Sequence, residues 1–574
     1  MATASTKSHA HKQKGQRANR EQFKETSEAN ASLPPPPSIE MGREISPRVW
    51  WIAYAAVLLV AGFVRIYQLE LRPMHHDEGV NGFFLLNLMR TGIFRYDPSN
   101  YHGPTLFYFT WPLAAAAEQL KMLDTWVVRM IPVIFGIATV WLALTLRRYI
   151  GAVGALAAGA LLALSPGFVF FSRYFIHEMM FVFFTLGIVV ALLRFYESNR
   201  AVYIVLAAVS AALLFATKET AFISAGVLLI AWGIAWGYMA FVTGQGWFGR
   251  RELVGKRGRI RQSGKGRSAE QTSSAPEPRE FVERFDGWRR ISILSVVALG
   301  SFLFVYVLFY SSFFTNAKGV SDSFKAFDIW TKTGTSAFHS KPFFTYVGWL
   351  RWEESPLLLL AVAGAVLALW RMRNRFALFT ALWGFGLLAA YSLINYKTPW
   401  LALSMLVPFA LTGGYAINVI YRMGGPDGRW RSLALAALGL GLAVCAYQSY
   451  IINLVHYDDD RYIYVYAHTK REYLDLIKQV DEIAARAGTK YETAINIAAP
   501  EYWPMPWYLR DYKRVGYAGR MPPATTTDAL IIASTSQAAE MQTKHGARYQ
   551  LVGNYPMRPG VTLALYVRRD LVIR

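Results

Sequence analysis

From Arg72 the chain reads RPMHHDEGVNGFFLLNLMRTGIFRYDPSNYHGP, a stretch in which His75, His76, Asp77, Glu78, Asp97 and His102 stand among aromatic and aliphatic residues. Similar islands recur beside other apolar runs: Arg173, His177 and Glu178 in SRYFIHEMM, Lys218 and Glu219 in ATKETAF, His339 and Lys341 in HSK, and Lys397 in NYKTPW. Ionisable groups at membrane depth are costly, so a cluster of them marks a functional cavity. With acids and bases alternating, such a cavity has an acidic pole for a base or a metal and a basic pole for a phosphate. Each island also has a plainer explanation. Asp77 and Glu78 suit the first turn of a helix, His177-Glu178 suits a charged turn, Lys218-Glu219 suits an interfacial ion pair, and Lys397 can snorkel to the interface.

The elements that position these groups follow from composition. The 574 residues are 54% hydrophobic and only 17% charged, with a mean hydropathy of +0.23; a soluble domain carries about 25% charge. Apolar runs of the length that crosses a bilayer as a helix fall at 50–69, 126–146, 153–171, 179–194, 203–217, 222–242, 291–310, 356–371, 376–394, 400–421 and 433–453, which makes eleven spans. The apolar run 104–120 is left out of the count, because the positive-inside rule then works. Arg147-Arg148, Arg194 with Arg200, the linker 243–290, Arg371 with Arg373 and Arg375, and Arg422 with Arg429 and Arg431 all fall on one side. The linker alone holds twelve Lys/Arg against six Asp/Glu. Counting 104–120 as a span would send the downstream arginines outside, so that run is read as a re-entrant or interfacial helix on the outer face. The N-terminus is then cytoplasmic and the C-terminal region extracytoplasmic.

The same assignment accounts for the net charge of +22, since basic cytoplasmic loops face anionic lipid, and no nucleic-acid motif is present. Cys445 is the single cysteine, so no intrachain disulfide can form. Residues 1–49 are polar with a Pro34–Pro37 run and eight Lys/Arg against five Asp/Glu, the composition of a disordered tail. The fold class expected is a polytopic all-α membrane protein over 50–454, with an outer loop at 70–125 and the basic linker at 243–290. An α/β domain follows over 455–574. In it a helix is expected near 470–485 and strands near 493–498, 529–533, 549–552 and 562–567.

An Asp-Glu pair in the loop after the first span resembles the acidic motif of the GT-C glycosyltransferases. The likeness runs on through YHGPTLFYFTWPL, VRMIPVIFGIATVWLALTLRRYIG and ALSPGFVFFSRYFIHEMMFVFFTLGIV, a succession similar to the protein O-mannosyltransferase and lipid A aminoarabinose transferase group. The segments HHDEGVNGFFLLNLMRTGIFRYDPSNYHGPTLFYFT and EYWPMPWYLRDY resemble, more narrowly, a flippase-activity-associated family of membrane glycosyltransferases linked to archaeal-type protein glycosylation. The resemblance covers nearly all of 50–517. It implies a sugar donor carried on a polyprenyl phosphate and used at the outer face, with membrane lipid around it and a protein, lipid or glycan as acceptor.

It also implies roles for particular residues. Asp77 matches the catalytic base, which takes the proton of the attacking hydroxyl and contributes about 10²–10⁴-fold; one displacement then inverts the sugar. Glu78 would orient Asp77 or bind sugar hydroxyls. Glu178 matches a second loop acid, although it is a Glu where many relatives have Asp and it follows His177. Lys218, Arg173 and Lys397 are the candidates for the donor phosphate, with arginine favoured for forked contacts. Tyr101, His102, Glu219, Trp503 and Trp507 are the candidates for sugar or acceptor contact. A divalent metal, Mn, Mg or Zn, would take its ligands from His177, Glu178 and Asp77. The rival reading is a translocator or accessory factor for lipid-linked sugars. It would put polar sites near the bilayer midplane on broken helices within internal repeats, whereas the charges here stand at span ends.

Overall fold

The computed structural model describes residues 45–100, 102–242, 287–334, 340–371, 374–423 and 428–572. The expected tail 1–49 beyond its last few residues, nearly all of the linker 243–290, Tyr101 and His339 lie outside the described residues.

Apolar composition and length decide the helical part. The helices in order are α1 (Pro47–Ile66), α2 (His76–Thr91), α3 (Thr105–Gln119), α4 (Thr125–Leu144), α5 (Ala152–Leu164), α6 (Pro166–Ser172), α7 (Glu178–Ser198), α8 (Ala201–Phe215), α9 (Ala221–Val242) and α10 (Trp288–Tyr310). After these come α11 (Lys318–Gly334), α12 (Thr345–Glu353), α13 (Ser355–Arg371), α14 (Arg375–Leu393), α15 (Leu403–Arg422) and α16 (Arg429–Tyr450). Eight of the helical segments are long and apolar enough to cross a membrane. The pairs α5/α6 and α12/α13 pass the same test as bent spans, broken by 58° and 111°, and α8 is a shorter apolar helix. Together they match the eleven runs read from the sequence. The chain is a multi-pass membrane protein.

One run read from the sequence as a single span is bent. The span at 153–171 breaks at Ser165, which takes an extended ψ of 127° and leads into Pro166 at the first position of α6. A residue before proline is pushed away from the helical region, so the break follows from the SP dipeptide. The run 104–120 is the fifteen-residue helix α3, which is not among the candidate spans.

Successive spans bring their ends together alternately. At one end Tyr149 and Arg194 both bond Glu197, Arg290 Nη2 donates to Asn199 O at 2.7 Å, and Asn374 Nδ2 donates to Tyr149 O at 2.6 Å. The arginines of the sequence argument gather there. The opposite end gathers every acidic and basic island singled out above that the described residues include.

At that opposite end lies the C-terminal sheet domain. Helix α17 (Tyr473–Arg486) buries Tyr473, Leu476, Ile477, Val480, Ile483 and Ala484, the i, i+3, i+4 stripe of an amphipathic helix. It packs with a five-stranded mixed sheet of order β2-β1-β3-β5-β4, in which β1 (Ala494–Ile497) pairs in parallel with β2 (Arg514–Tyr517) and β3 (Leu530–Ser534). Strand β5 (Val561–Arg568) runs antiparallel to both β3 and β4 (Tyr549–Arg558). Four of these strands were expected from the sequence. β2 was not, because RVGY is four residues long, holds a glycine and buries none of its side chains.

Candidate functional site

The site begins where α2 begins. His75 is its N-cap: Nδ1 accepts from Asp77 N at 3.0 Å, while Glu78 Oε2 accepts from His75 N at 3.0 Å. This is the reciprocal arrangement of a capping box, with histidine in place of Ser or Thr. Glu78, three residues into the helix, points beneath it. Arg129, in the first turns of α4, grips both of its oxygens, Nε to Oε1 at 2.8 Å and Nη2 to Oε2 at 2.7 Å, and Phe175 N donates to Oε1 at 2.8 Å. The same guanidinium donates to Leu69 O, Arg72 O and Pro73 O. Neither side chain has any exposed surface. Burial pushes the Glu78 carboxyl up, but the Arg129 guanidinium, Arg72 and the Phe175 N–H outweigh it and hold it below the ordinary value. Glu78 is therefore a clamp that ties α2, α4 and the loop before α7 together, and it is closed to sugar hydroxyls.

Asp77 faces the other way. Its side chain is 41% exposed, and its nearer oxygen lies 3.9 Å from His75 Nδ1. Its charge reaches His76, Arg558, Tyr174 and Tyr466. His76 Nδ1 lies 3.1 Å from Arg558 Nη1, and the His76 ring stands 6.3 Å from that of Trp503. The Trp400 ring, from the NYKTPW segment, lies 6.2 Å from Tyr466. This rim is where an acceptor hydroxyl can meet a carboxylate.

The sheet domain is seated on α2 by its glycines. A Cβ on Gly79 would fall 2.5 Å from Pro504 Cβ, and one on Gly82 would fall 2.7 Å from the Trp507 ring. Tyr508 accepts from Met74 N at 2.8 Å, and Arg510 Nη2 donates to Leu123 O at 2.6 Å. The two segments that resemble the narrower family, HHDEGVNG and EYWPMPWYLRDY, are thus in contact. Trp503 reaches the rim. Trp507 is fully buried in the core, so it packs and cannot touch a sugar, contrary to the expectation from sequence.

A second polar cluster joins α3, α7, α8 and α9. Lys218 Nζ donates to Glu178 Oε1 at 2.6 Å with both side chains buried. His102 Nδ1 lies 3.0 Å from Glu219 Oε2, with 27% of the His102 side chain exposed. His177 Nε2 lies 3.1 Å from Gly103 O, and the His102 and His177 rings are 5.1 Å apart. Burial lowers the Lys218 ammonium pKa, but Glu178 and Glu219 outweigh it and raise it. The buried Tyr174 feels the charges of both Asp77 and Glu178. The two acids therefore stand at the same end of the bundle, with a packed aromatic residue in reach of both.

Two proposed phosphate ligands have other work. Arg173 donates to Val64 O, Arg65 O, Tyr67 O and Gln68 O, satisfying carbonyls that the end of α1 leaves open. Lys397 Nζ donates to Ile394 O at 2.5 Å and Lys341 O at 3.2 Å and is 1% exposed. A cation surrounded by carbonyls is already solvated, which withdraws both from the donor site. The expected metal ligands do not converge either. His177 turns to Gly103 O, Glu178 to Lys218 and Asp77 to the rim, and among the described residues no three His, Cys, Asp or Glu side chains form a metal-binding group. The described residues do not fit a protein-held metal.

Sequence reasoning missed Arg129, the His75 cap and Arg558. Arg129 carried a signal: a lone arginine inside VVRMIPV needs a buried partner, and Glu78 is it.

Residues 102–251 match the family model of dolichyl-phosphate-mannose-protein mannosyltransferases. No curated protein sequence matches the chain. Among solved structures, ArnT from Cupriavidus metallidurans bound to undecaprenyl phosphate is similar at a TM-score of 0.57 and 15% identity, over 90% of this chain and 98% of that one. Its apo state gives a TM-score of 0.55 at 15% identity over the same shares. The Archaeoglobus fulgidus oligosaccharyltransferase, solved with Zn and sulfate, gives 0.51 at 12% identity, over 90% of this chain and 75% of that one. The chain has the GT-C fold that its motifs resemble.

Proposed function

We propose that the chain is a glycosyltransferase that moves a sugar from a polyprenyl-phosphate donor to an acceptor hydroxyl on the extracytoplasmic side of the membrane. The observation that carries this reading is Asp77, half-exposed at the start of α2 and backed by the buried Glu78–Arg129 clamp. The mannosyltransferase model match and the likeness to an ArnT structure that holds undecaprenyl phosphate support the donor class. The arginine-rich end of the bundle is the cytoplasmic one by the positive-inside rule, which leaves Asp77 and the sheet domain outside.

In this reaction the acceptor oxygen attacks the anomeric carbon while Asp77 takes its proton. The bond from the anomeric carbon to the phosphate oxygen breaks, and the lipid phosphate leaves with both electrons. A phosphate is a weak base, so cations suffice at the leaving group and no general acid is needed. A single displacement inverts the configuration. Glu78, through the clamp and the capping box, positions Asp77. His102, steered by Glu219, and Trp503 contact the sugar or acceptor, and the Lys218–Glu178 pair fixes the loops beside them.

The test is transfer by the purified chain in lipid, supplied with radiolabelled polyprenyl-phosphate sugars and cell-envelope extract. Label is expected in a new glycosidic bond for the natural sequence and not for Asp77→Asn. Label that only crosses the bilayer, with no new bond, would replace the transferase with a translocator.

A further inference from the structure

The β4–β5 hairpin brings one guanidinium from the sheet domain to the Asp77 rim. Arg558 and Val561 are paired across the turn, and Gly560 has a φ of 78°, the left-handed value that the second central residue of a Pro-Gly turn requires. Arg558 thus ends β4 at a fixed point, 482 residues from His76 along the chain, with Nη1 3.1 Å from His76 Nδ1. Its Nη2 meets the carboxylate of Glu501, and the two side chains are 17% and 52% exposed.

This cation differs from Arg129, Arg173 and Lys218 at the same end of the bundle. Arg129 and Arg173 are bound to backbone carbonyls and, for Arg129, to Glu78, and Lys218 is closed against Glu178. All three are at most 3% exposed. Arg558 is held on its Nη2 edge by an acid that keeps half of its surface in water. An ion pair whose acid stays half in water is worth little net, so a better oxyanion can displace it. A phosphate offers a guanidinium the same fork of oxygens as a carboxylate, with more charge.

We propose that Arg558 is a donor-phosphate-binding residue supplied by the sheet domain, and that Glu501 fills its Nη2 edge until the lipid phosphate takes that place. The proposal rests on the donor class argued above. It makes the sheet domain part of the donor site and not only a cover.

Binding is measured with the full chain in lipid nanodiscs, using undecaprenyl phosphate as the probe and undecaprenol as its phosphate-free control. The natural chain is expected to prefer the phosphate. Arg558→Ala is expected to weaken binding of the phosphate by about 10- to 100-fold, the range of a lost charge-assisted contact, and to leave undecaprenol unchanged. Glu501→Gln is expected to tighten phosphate binding several-fold, on the order of the competition it removes. The opposite signs are the point. If Arg558 and Glu501 were only a structural pair, both substitutions would loosen the domain and weaken binding together, and that outcome overturns the proposal. Undiminished phosphate binding by Arg558→Ala also overturns it while leaving the donor class intact. A natural chain that binds undecaprenol as well as undecaprenyl phosphate overturns the donor class and the proposal at once.

Discussion

Beneath the first turn of α2, Glu78 and Arg129 have no exposed surface, and both carboxylate oxygens are engaged by a guanidinium and backbone N–H groups. One residue earlier in the chain, Asp77 keeps 41% of its side-chain surface and meets its neighbour His76 and three other segments, at Tyr174, Tyr466 and Arg558, through its charge. Successive residues on a helix point about 100° apart, so a two-residue acidic motif set at a helix start divides into one carboxylate that looks inward and one that looks out. The lesson is that the pair is two devices. Glu78 ties the loop to α4 and to the segment before α7, and on the proposed reading Asp77 is the base that this tie holds in place.

The comparison breaks first at the clamp. Removing one partner of a buried ion pair leaves an uncompensated charge and costs about 3–5 kcal/mol. Glu78→Ala and Arg129→Leu are each expected to lower the thermal midpoint in detergent sharply and to reduce accumulation in the membrane. The double replacement Glu78→Leu with Arg129→Met should recover part of the loss, since both charges go together. Single variants as stable as the natural chain would mean that the clamp carries no load. Asp77→Asn is expected to do the opposite: transfer falls about 10²–10⁴-fold with the thermal midpoint unchanged. A large stability loss in Asp77→Asn would remove the distinction between the two residues.

Much of this division was out of reach from the sequence. The spans were legible because a bilayer demands about twenty apolar residues and little else, and the helix ends were legible because arginine prefers one side. Pro166 carried a local signal for the break in its span, but 153–171 was read as one unbroken run. The roles of Arg173 and Lys397 were not legible, since a cation that satisfies helix-end carbonyls and one that binds phosphate have the same local pattern. Trp503 and Trp507 are four residues apart in one motif, yet one reaches the rim and the other is buried. Arg558 gave no local signal at all, because its meaning comes from a contact across 482 residues.

The seat of the sheet domain gives a smaller effect. Gly82→Ala would set a methyl 2.7 Å from the Trp507 ring, and overpacking of this kind costs about 1–3 kcal/mol. The expected result is partial detachment of the domain, seen as proteolysis between α16 and α17, with the clamp intact. Donor binding should weaken in step if the domain supplies a ligand, whereas unchanged binding in a chain with the domain visibly loosened would return the whole donor site to the membrane helices.

Mild acid should separate rim from clamp by the smallest margin. Burial, above all, pushes the His76 imidazole down to about 4; Asp77 opposes this, while His75 and Arg558 add to it. When the domain is docked, His76 Nδ1 faces an Arg558 donor at 3.1 Å and must be unprotonated to accept it. When the domain is undocked, the imidazole regains an ordinary value of about 6.5. The undocked state therefore binds more protons, so docking is fully supported above about 6.5 and loses that support as pH falls toward about 4. His75 and His468, with rings 5.4 Å apart, are depressed by burial in the same way and act in the same direction. Glu78 is depressed too, but as a carboxylate: its contribution is complete above about 4.3 and is lost only below that. Between pH 7 and 5 the amides of Met505–Tyr508 should therefore exchange faster, once corrected for the intrinsic rate, while those of the first turns of α4 stay protected. His76→Gln keeps an acceptor without a titration and should flatten the slope at the rim. Equal loosening of both segments would mean that acid reaches the whole loop as one unit, and that the two carboxylates are not insulated from each other by the first turn of α2.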